Sequence, residues 1–241
     1  MKGVMAMNRR KSTFTGCLFG LSLVLAAGQS AHALQTVWDN TFTPSDWTRG
    51  STPGSLYAEW NVFNDDIPGG AIQDTSPEVA NFGGGSYQVA ELTGTAFLTG
   101  GNIYSFAAPT AFAFTVGNVA GGPRDVFLRI ASLGNFDTTL NQAFTNFQLN
   151  GLSGVYTQLF SEVGDFGGQA SVEVEALVSW LGVPEAASFL LTWNAIGSSV
   201  SLDQLSLDVG PVAPVPLPAA AYLMASGLVG IATMARRVQR A

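Results

Sequence analysis

Carboxylates are the side chains of this sequence that could do chemistry. Asp65, Asp66, Asp74 and Glu78 fall in one Gly- and Pro-containing stretch, DDIPGGAIQDTSPE. Such a loop can bring oxygen ligands together around calcium. The spacing fits neither an EF-hand nor a repeated calcium-binding turn, and aspartates in such loops also form turns through their own side chains. We therefore predict no cofactor or metal, with calcium at this loop as the alternative.

A second pair of carboxylates, Glu173 and Glu175, lies on a segment that alternates apolar and polar residues. On a strand the two point the same way, about 6.6 Å apart, which is near the separation used by inverting glycosidases. Two acids at this spacing are also the ordinary pattern of a solvated strand face. Because nothing else supports hydrolysis, we predict that the chain is not an enzyme and keep a carboxylate glycoside hydrolase as the remotest alternative.

Histidine and cysteine are nearly absent. The sequence has one of each, His32 and Cys17, and both lie in a segment that we expect to be removed on export. The mature chain would then have no imidazole for a Ser-His-Asp triad and no thiolate nucleophile. It could form no disulfide, and a zinc site would have to be built from carboxylates alone.

Tryptophan faces could instead stack on sugars, and the chain has five: Trp38, Trp47, Trp60, Trp180 and Trp193. Trp180 falls on the apolar side of an alternating segment, and Trp38 and Trp60 sit in apolar runs, so we expect these to be buried. Trp47 lies in a polar stretch and is the one expected at the surface. A carbohydrate-binding module is therefore an alternative function.

Strands must position these residues, because the apolar pattern of the body has a period of two. The segment from Val172 to Trp180 alternates in this way. Val200 and Leu202 share one parity while Leu205 and Leu207 share the other, which predicts a β-bulge near residues 203–204. Two further segments repeat the alternation, with the inward residues Phe112, Phe114 and Val116 in one, and Val126, Leu128 and Ile130 in the other.

Glycine pairs punctuate about ten candidate strands, and no convincing amphipathic helix interrupts them, although residues 185–191 could form one helical turn. The fold class predicted is all-β: an antiparallel β-sandwich of the jelly-roll type. An N-terminal signal helix and a C-terminal transmembrane helix are expected in addition.

The body between Leu34 and Gly210 is strongly acidic. It holds all 17 acidic residues of the chain but only three basic ones, Arg49, Arg124 and Arg129, and so carries a formal charge of −14. Nucleic acids and anionic lipids need clustered lysine or arginine, so we predict that the body binds neither. Self-repulsion would instead keep an exported domain soluble.

The N-terminus has the layout of a secretory signal peptide. Basic residues precede an apolar run of about 14 residues, which is short of the roughly 20 needed to span a bilayer. A small-residue site follows, Ala31-His32-Ala33. We expect signal peptidase to cleave after Ala33.

The C-terminus reads as a membrane segment. Four prolines between residues 211 and 218 make a stiff extended spacer. The 17 residues 219–235 carry no charge, which is the short end of a spanning helix. Arg236 and Arg237 follow as a stop-transfer signal, and positive charge tends to stay in the cytoplasm.

This C-terminal pattern resembles the PEP-CTERM sorting signal in its VPLPA variant. The motif residues are Val215, Pro216, Leu217, Pro218 and Ala219, followed by the apolar helix and the arginine pair. The resemblance implies recognition by an exosortase, processing near the motif, and delivery to the cell surface or extracellular matrix, often beside exopolysaccharide. It covers about 27 of the 241 residues, so it bears on the route of the protein rather than on its activity.

The predicted organisation is a signal peptide (1–33), a β-sandwich ectodomain (34–210), a Pro-rich linker with the sorting motif (211–218), a transmembrane helix (219–235) and a basic cytoplasmic tail (236–241). The predicted function is that of an exported cell-surface or matrix protein with a non-catalytic structural or adhesive role. Its expected partners are signal peptidase and exosortase during export and the inner membrane before processing, with polysaccharide as a partner under the carbohydrate-binding alternative.

Overall fold

The computed structural model describes residues 42–64, 72–106, 109–134, 142–166 and 169–212, and the single residue Met224. The chain divides into two compact units, one made of Met1–Thr43 with Asp165–Gln169 and the other of Pro44–Gly164 with Ala170–Ala241. Apart from the turn end of one hairpin, every described strand belongs to the second unit. The predicted signal peptide, sorting motif, stop-transfer arginines and Trp38 lie outside the described residues.

Fourteen strands form within the described residues. They are β1 (Leu56–Trp60), β2 (Gln73–Asp74), β3 (Val79–Phe82), β4 (Ser86–Glu91), β5 (Phe97–Thr99), β6 (Asn102–Ser105), β7 (Ala111–Gly117), β8 (Arg124–Gly134), β9 (Phe144–Leu149), β10 (Leu152–Ser153), β11 (Val155–Phe166), β12 (Gln169–Val183), β13 (Ser188–Ala195) and β14 (Val200–Pro211). The all-β prediction is confirmed for this part of the chain.

The strands form two antiparallel sheets. The first sheet has eight strands, in the order β11-β12-β8-β14-β1-β3, with β6 also paired to β14 and β5 paired to β6. The second has six, in the order β10-β9-β13-β7-β4-β2. Strands next to each other in the sequence often belong to different sheets, as β7 and β8 do, so the chain crosses repeatedly from one layer to the other.

One hydrophobic cluster joins the two sheets. Trp60 of β1 meets Phe114 of β7 edge to face, with ring centroids 5.2 Å apart, and Trp193 of β13 stacks on Phe112. The inward residues predicted from alternation are buried except Val172, which is half-buried; the buried ones are Phe112, Phe114, Val116, Val126, Leu128, Ile130, Val174, Ala176, Val178 and Trp180. The period-two pattern therefore located the strands that build the core.

The predicted β-bulge is also confirmed. The pairing of β14 with β8 shifts register between Leu202 and Gln204, which lets Leu202 and Leu205 both face the core although their parities differ. As a result Asp203 is the extra residue of the strand.

The helical turn considered for residues 185–191 is wrong. Phe189 to Leu191 belong to β13, paired in register with β7, and Phe189 and Leu191 are buried while Leu190 is exposed. Tertiary packing of this alternating pattern overrides the weak local helix preference of the preceding alanines. Among the described residues, no helix is long and apolar enough to cross a membrane.

Candidate functional site

The outer side of the first sheet carries a concentration of polar and charged side chains. Register places Tyr57 of β1 opposite Asp208 of β14, and Glu59 opposite Ser206. Ser206 in turn lies opposite Arg129 of β8. We call this surface the polar face. Every described residue from Val200 to Gly210 is buried, so the outward polar residues of β14 are covered as well as its core leucines.

Arg49 holds one end of the polar face together. Its Nε donates to Oδ1 of Asp208 and its Nη2 donates to Oδ2, both at 2.6 Å. The guanidinium also lies 3.8 Å from the ring centre of Tyr57. Burial raises the pKa of the Asp208 carboxyl, and the hydrogen bonds and charge of Arg49 oppose that shift. The Tyr57 hydroxyl donates to Oε2 of Glu59, and burial raises the pKa of this phenol.

A second ion pair joins Arg129 to Glu175 of β12. The Arg129 Nε donates to Oε1 of Glu175 at 3.1 Å, and Nη2 donates to the same oxygen. The two side chains are only 4% and 1% exposed. Glu173, the other member of the predicted carboxylate pair, is half-buried; burial raises its pKa, as do the charges of Glu162 and Glu175. The two glutamates do share a strand, but Glu175 is not the solvated residue that its sequence context suggested.

Asp203 is a functional candidate that sequence pattern did not single out. Asp203 lies at the bulge with its carboxyl buried, and Ser201 Oγ donates to its Oδ1. Burial raises its pKa to about 7, against the lowering effect of the Ser201 hydrogen bond. Its Oδ2 has no hydrogen-bond partner among the described residues, and neither has Oε1 of Gln204. Only the predicted bulge could have pointed to this residue.

Of the four acids in the loop considered for calcium, the structure describes Asp74 and Glu78, while Asp65 and Asp66 lie outside the described residues. Asp74 is fully buried and accepts hydrogen bonds from Trp60 Nε1 at 3.0 Å, Ser76 N at 2.8 Å and Asn64 N at 3.1 Å. Glu78 Oε2 accepts one from Asn61 N at 2.9 Å. These hydrogen bonds therefore fix the described part of the loop to the Trp60 side chain at the end of β1 and to the backbone of the residues that follow β1.

The expectation that Trp47 is exposed is wrong. Its side chain is 5% exposed and stacks on Phe127, with ring centroids 5.6 Å apart and an interplanar angle of 28°. The ring also covers Gly210, where a Cβ atom would come within 2.2 Å of Trp47 Cδ2. Trp60, Trp180 and Trp193 are buried as well, so none of the described tryptophans offers a free face to a sugar.

The exposed aromatic surface lies elsewhere, on the β5–β6 hairpin. Phe97 stacks on Phe106 with centroids 5.3 Å apart, and Tyr104 meets Phe106 edge to face at 4.5 Å. Phe97 and Phe106 are both exposed. We call these three residues the aromatic cluster. A separate open depression beside β9 is lined by Gln142, Asn146, Gln148 and Tyr156, among others.

Most of the described carboxylates of the candidate site accept hydrogen bonds from arginine, tyrosine, tryptophan, hydroxyl or backbone donors. No group of three or more acidic, histidine or cysteine residues within the described ranges is arranged to hold a metal ion. No protein-family model matches the chain, and comparisons with curated proteins and with solved structures find no similar protein.

Proposed function

We propose that the chain is an exported, non-catalytic protein of the cell surface or extracellular matrix, with a structural or adhesive role. The observation that carries this proposal is the order of the C-terminal segments: the motif Val215–Ala219, an uncharged stretch to residue 235, then Arg236 and Arg237. A stiff spacer ahead of an apolar segment with cations behind it suits insertion with the acidic body outside. Exosortase is the processing partner that the resemblance implies.

The described body supports a role without catalysis, because its charged groups serve the fold. Arg124 donates to the backbone oxygens of Ala120 and Gly121, while Arg49 and Arg129 pair with buried acids. All three arginines of the body are thus engaged internally, which also disfavours a phosphate-bearing partner.

The jelly-roll form of the sandwich belongs to the same proposal and is supported by strand order. Eight of the strands, taken in chain order, are β1, β7, β8, β9, β10, β12, β13 and β14. One sheet holds the first, eighth, third and sixth of these as neighbours, and the other holds the second, seventh, fourth and fifth. This interleaving matches the strand order of a jelly roll and so supports that part of the proposal. The remaining strands extend the edges of the two sheets.

Surface display in the producing bacterium tests the sorting proposal. Deleting residues 215–241 should release the body into the medium, and Pro216→Ala with Pro218→Ala should reduce display. Pro211→Ala with Pro214→Ala changes the spacer outside the motif and is the matched control. Display that survives the deletion, or that falls equally in both proline pairs, would contradict the role of the motif.

Carbohydrate binding is the second candidate, and the aromatic cluster is the observation that favours it. Exposed aromatic faces can stack on the apolar side of a sugar ring while the Tyr104 hydroxyl binds its rim. Titration with the exopolysaccharide of the producing cell tests it. Phe106→Ala should weaken binding about tenfold or more, whereas Leu190→Ala, at an exposed site on the second sheet, should not. No detectable binding by the unaltered protein would end this candidate.

A further inference from the structure

Among the described strands, β11, a strand of 12 residues, forms one edge of the first sheet. It follows β12 at the end of the strand order. Long exposed edges usually carry lysine, proline or several charges that prevent pairing with another chain. Between Val155 and Val163 the sequence has one charge, Glu162, and no proline. This edge is therefore poorly protected against strand addition.

From Val155 to Ser161 the side chains of β11 alternate between an exposed and a half-buried set. Val155, Leu159 and Val163 are 66%, 37% and 72% exposed, and Thr157 and Ser161 between them are exposed too. On the other side, Tyr156 is half-buried and stacks on Phe147 with centroids 5.9 Å apart. One face of the edge strand is thus packed, and the other presents three large apolar side chains to solvent.

The exposed face reads nearly the same in both directions: Val155, Thr157, Leu159, Ser161, Val163. An antiparallel pair of identical strands is related by a two-fold axis, so its contacts must be self-complementary. With the axis at Leu159, this residue lies opposite Leu159 of the other copy, and Val155 lies opposite Val163 of the other copy. Thr157 then meets Ser161, so every exposed apolar residue opposes an apolar one and every hydroxyl opposes a hydroxyl.

Charge favours the same register. With the axis at Leu159, Glu162 lies opposite Tyr156 of the other copy, so the two carboxylates do not face each other. A register with its axis at Glu162 would place the two carboxylates in direct opposition, which is destabilising. Moving the axis by one residue to Phe160 would place Val163 against Thr157 and lose the match of apolar side chains. The stretch is also uncharged from Val155 to Ser161 in a body of formal charge −14.

We propose that β11 pairs antiparallel with β11 of a second copy of this chain, about a two-fold axis at Leu159, so that the first sheets of two copies join into one. Main-chain hydrogen bonds would supply the attraction, and the matched side chains would fix the register. A contact limited to one strand edge is smaller than the roughly 1,600 Å² of a standard interface. We therefore expect weak pairing that becomes populated where copies are crowded. The inference depends on neither the sorting signal nor sugar binding.

Site-specific disulfide formation tests the pairing and its register. The test uses the full chain in mild detergent with Cys17→Ser, so that an introduced cysteine is the only thiol. Leu159→Cys places two thiols directly opposite each other, with Cα atoms within the range that a disulfide spans. Thr157→Cys places them four residues apart along the strand, about 13 Å. Under mild oxidation Leu159→Cys should cross-link about tenfold more than Thr157→Cys, and a mixture of Thr157→Cys with Ser161→Cys should cross-link as heterodimers.

Charges introduced at Val155 and Val163 in the Leu159→Cys background distinguish cross-linking in the proposed register from cross-linking by random collision. Val155→Lys with Val163→Lys places like charges opposite each other twice and should reduce the cross-linked fraction. Val155→Lys with Val163→Glu places opposite charges at the same two positions and should restore it. Both valines are exposed, so folding should persist, and circular dichroism verifies this. Equal cross-linking of Leu159→Cys and Thr157→Cys, or no rescue by the opposite charges, would overturn the proposal.

Discussion

Asp203 is the extra residue at the bulge of β14, between Leu202 and Gln204. Its carboxyl is buried with a single hydroxyl donor, Ser201, and burial raises its pKa to about 7. Between the unfolded pKa of 3.8 and about 7, the folded chain holds a proton that the unfolded chain has released.

Asp203 should therefore make the fold less stable as pH rises from about 4 to about 7, because unfolding releases a proton over this range. Removing the charge with Asp203→Asn should raise the free energy of unfolding at pH 8 by about 2–4 kcal/mol and change it little at pH 4. Urea denaturation at both pH values measures this. Asp46→Asn, at an exposed site, is the control and should have little effect at either pH. A gain from Asp203→Asn that is equal at pH 4 and pH 8 would refute the assignment.

The buried pair Arg129–Glu175 makes a second prediction at this scale. Removing one partner leaves a buried charge without its counter-charge, so Arg129→Ala should lower the free energy of unfolding by about 3–5 kcal/mol. Replacing both residues with methionine removes both charges and should recover most of that loss. Chemical denaturation of the two variants gives the comparison. If the double variant is as unstable as Arg129→Ala, the loss comes from packing rather than from the unpaired charge.

At the scale of elements, the segment before β1 converts the outer side of the first sheet into a second, smaller packed layer. Trp47 lies on Phe127 of β8 and fills the space above Gly210 of β14, while Arg49 closes over Tyr57 and Asp208. This cover explains why both sides of β14 are buried around Asp208 and Gly210.

Adding a methyl group under the tryptophan tests this layer. In Gly210→Ala the new Cβ would stand 2.2 Å from Trp47 Cδ2, so the ring must move, and we expect a loss of about 1–3 kcal/mol in unfolding free energy. The same substitution in a Trp47→Ala background should cost much less, because the colliding ring is gone. A double-mutant cycle with no coupling between the two positions would show that the ring does not rest on Gly210.

The sequence pattern predicted the strands that have one buried face, and it missed the features that depend on residues distant in the chain. Alternation located β7, β8, β12 and the bulge of β14 because it reports which side chains leave water. It missed β2 and β10, whose two residues each are too short to show a period. The polar neighbours of Trp47 predicted exposure wrongly, because the burial of this ring depends on Phe127 and on Gly210, which are distant from it in the sequence.

For the candidate sites, too, the sequence showed which residues share a strand but not which residues of other strands they contact. The pairing of Glu173 and Glu175 on one strand was readable from spacing, but the ion pair of Glu175 required Arg129 on the neighbouring strand. A signal did exist: a body with 17 acids and three arginines has few cations for its buried carboxylates. The aromatic cluster had no such signal, since Phe97, Tyr104 and Phe106 resemble any hydrophobic hairpin until their exposure is known.

Across the whole molecule, the charge balance is the dominant electrostatic feature. The three arginines of the body are engaged inside it, so the remaining carboxylates of the body repel one another. Raising sodium chloride from about 10 mM to about 300 mM shortens the Debye length from roughly 30 Å to below 10 Å. We expect the melting temperature to rise over this range, because screening weakens the repulsion in the folded state. A melting temperature that falls with salt would mean that the ion pairs of Arg49 with Asp208 and of Arg129 with Glu175 outweigh the repulsion.

Calcium chloride at the same ionic strength separates screening from a specific site. Asp74 and Glu78, the described carboxylates of the acidic loop, hold its backbone and Trp60 through hydrogen bonds, so a calcium ion would have to compete with those donors. At matched ionic strength we therefore expect calcium chloride to give no extra rise in melting temperature that Asp65→Asn and Asp66→Asn remove. A larger rise with calcium that Asp65→Asn and Asp66→Asn abolish would contradict this expectation and establish a site in the loop. An excess that survives both substitutions would instead indicate counter-ion binding spread over the acidic body, since a divalent ion is concentrated more strongly by a field of this sign.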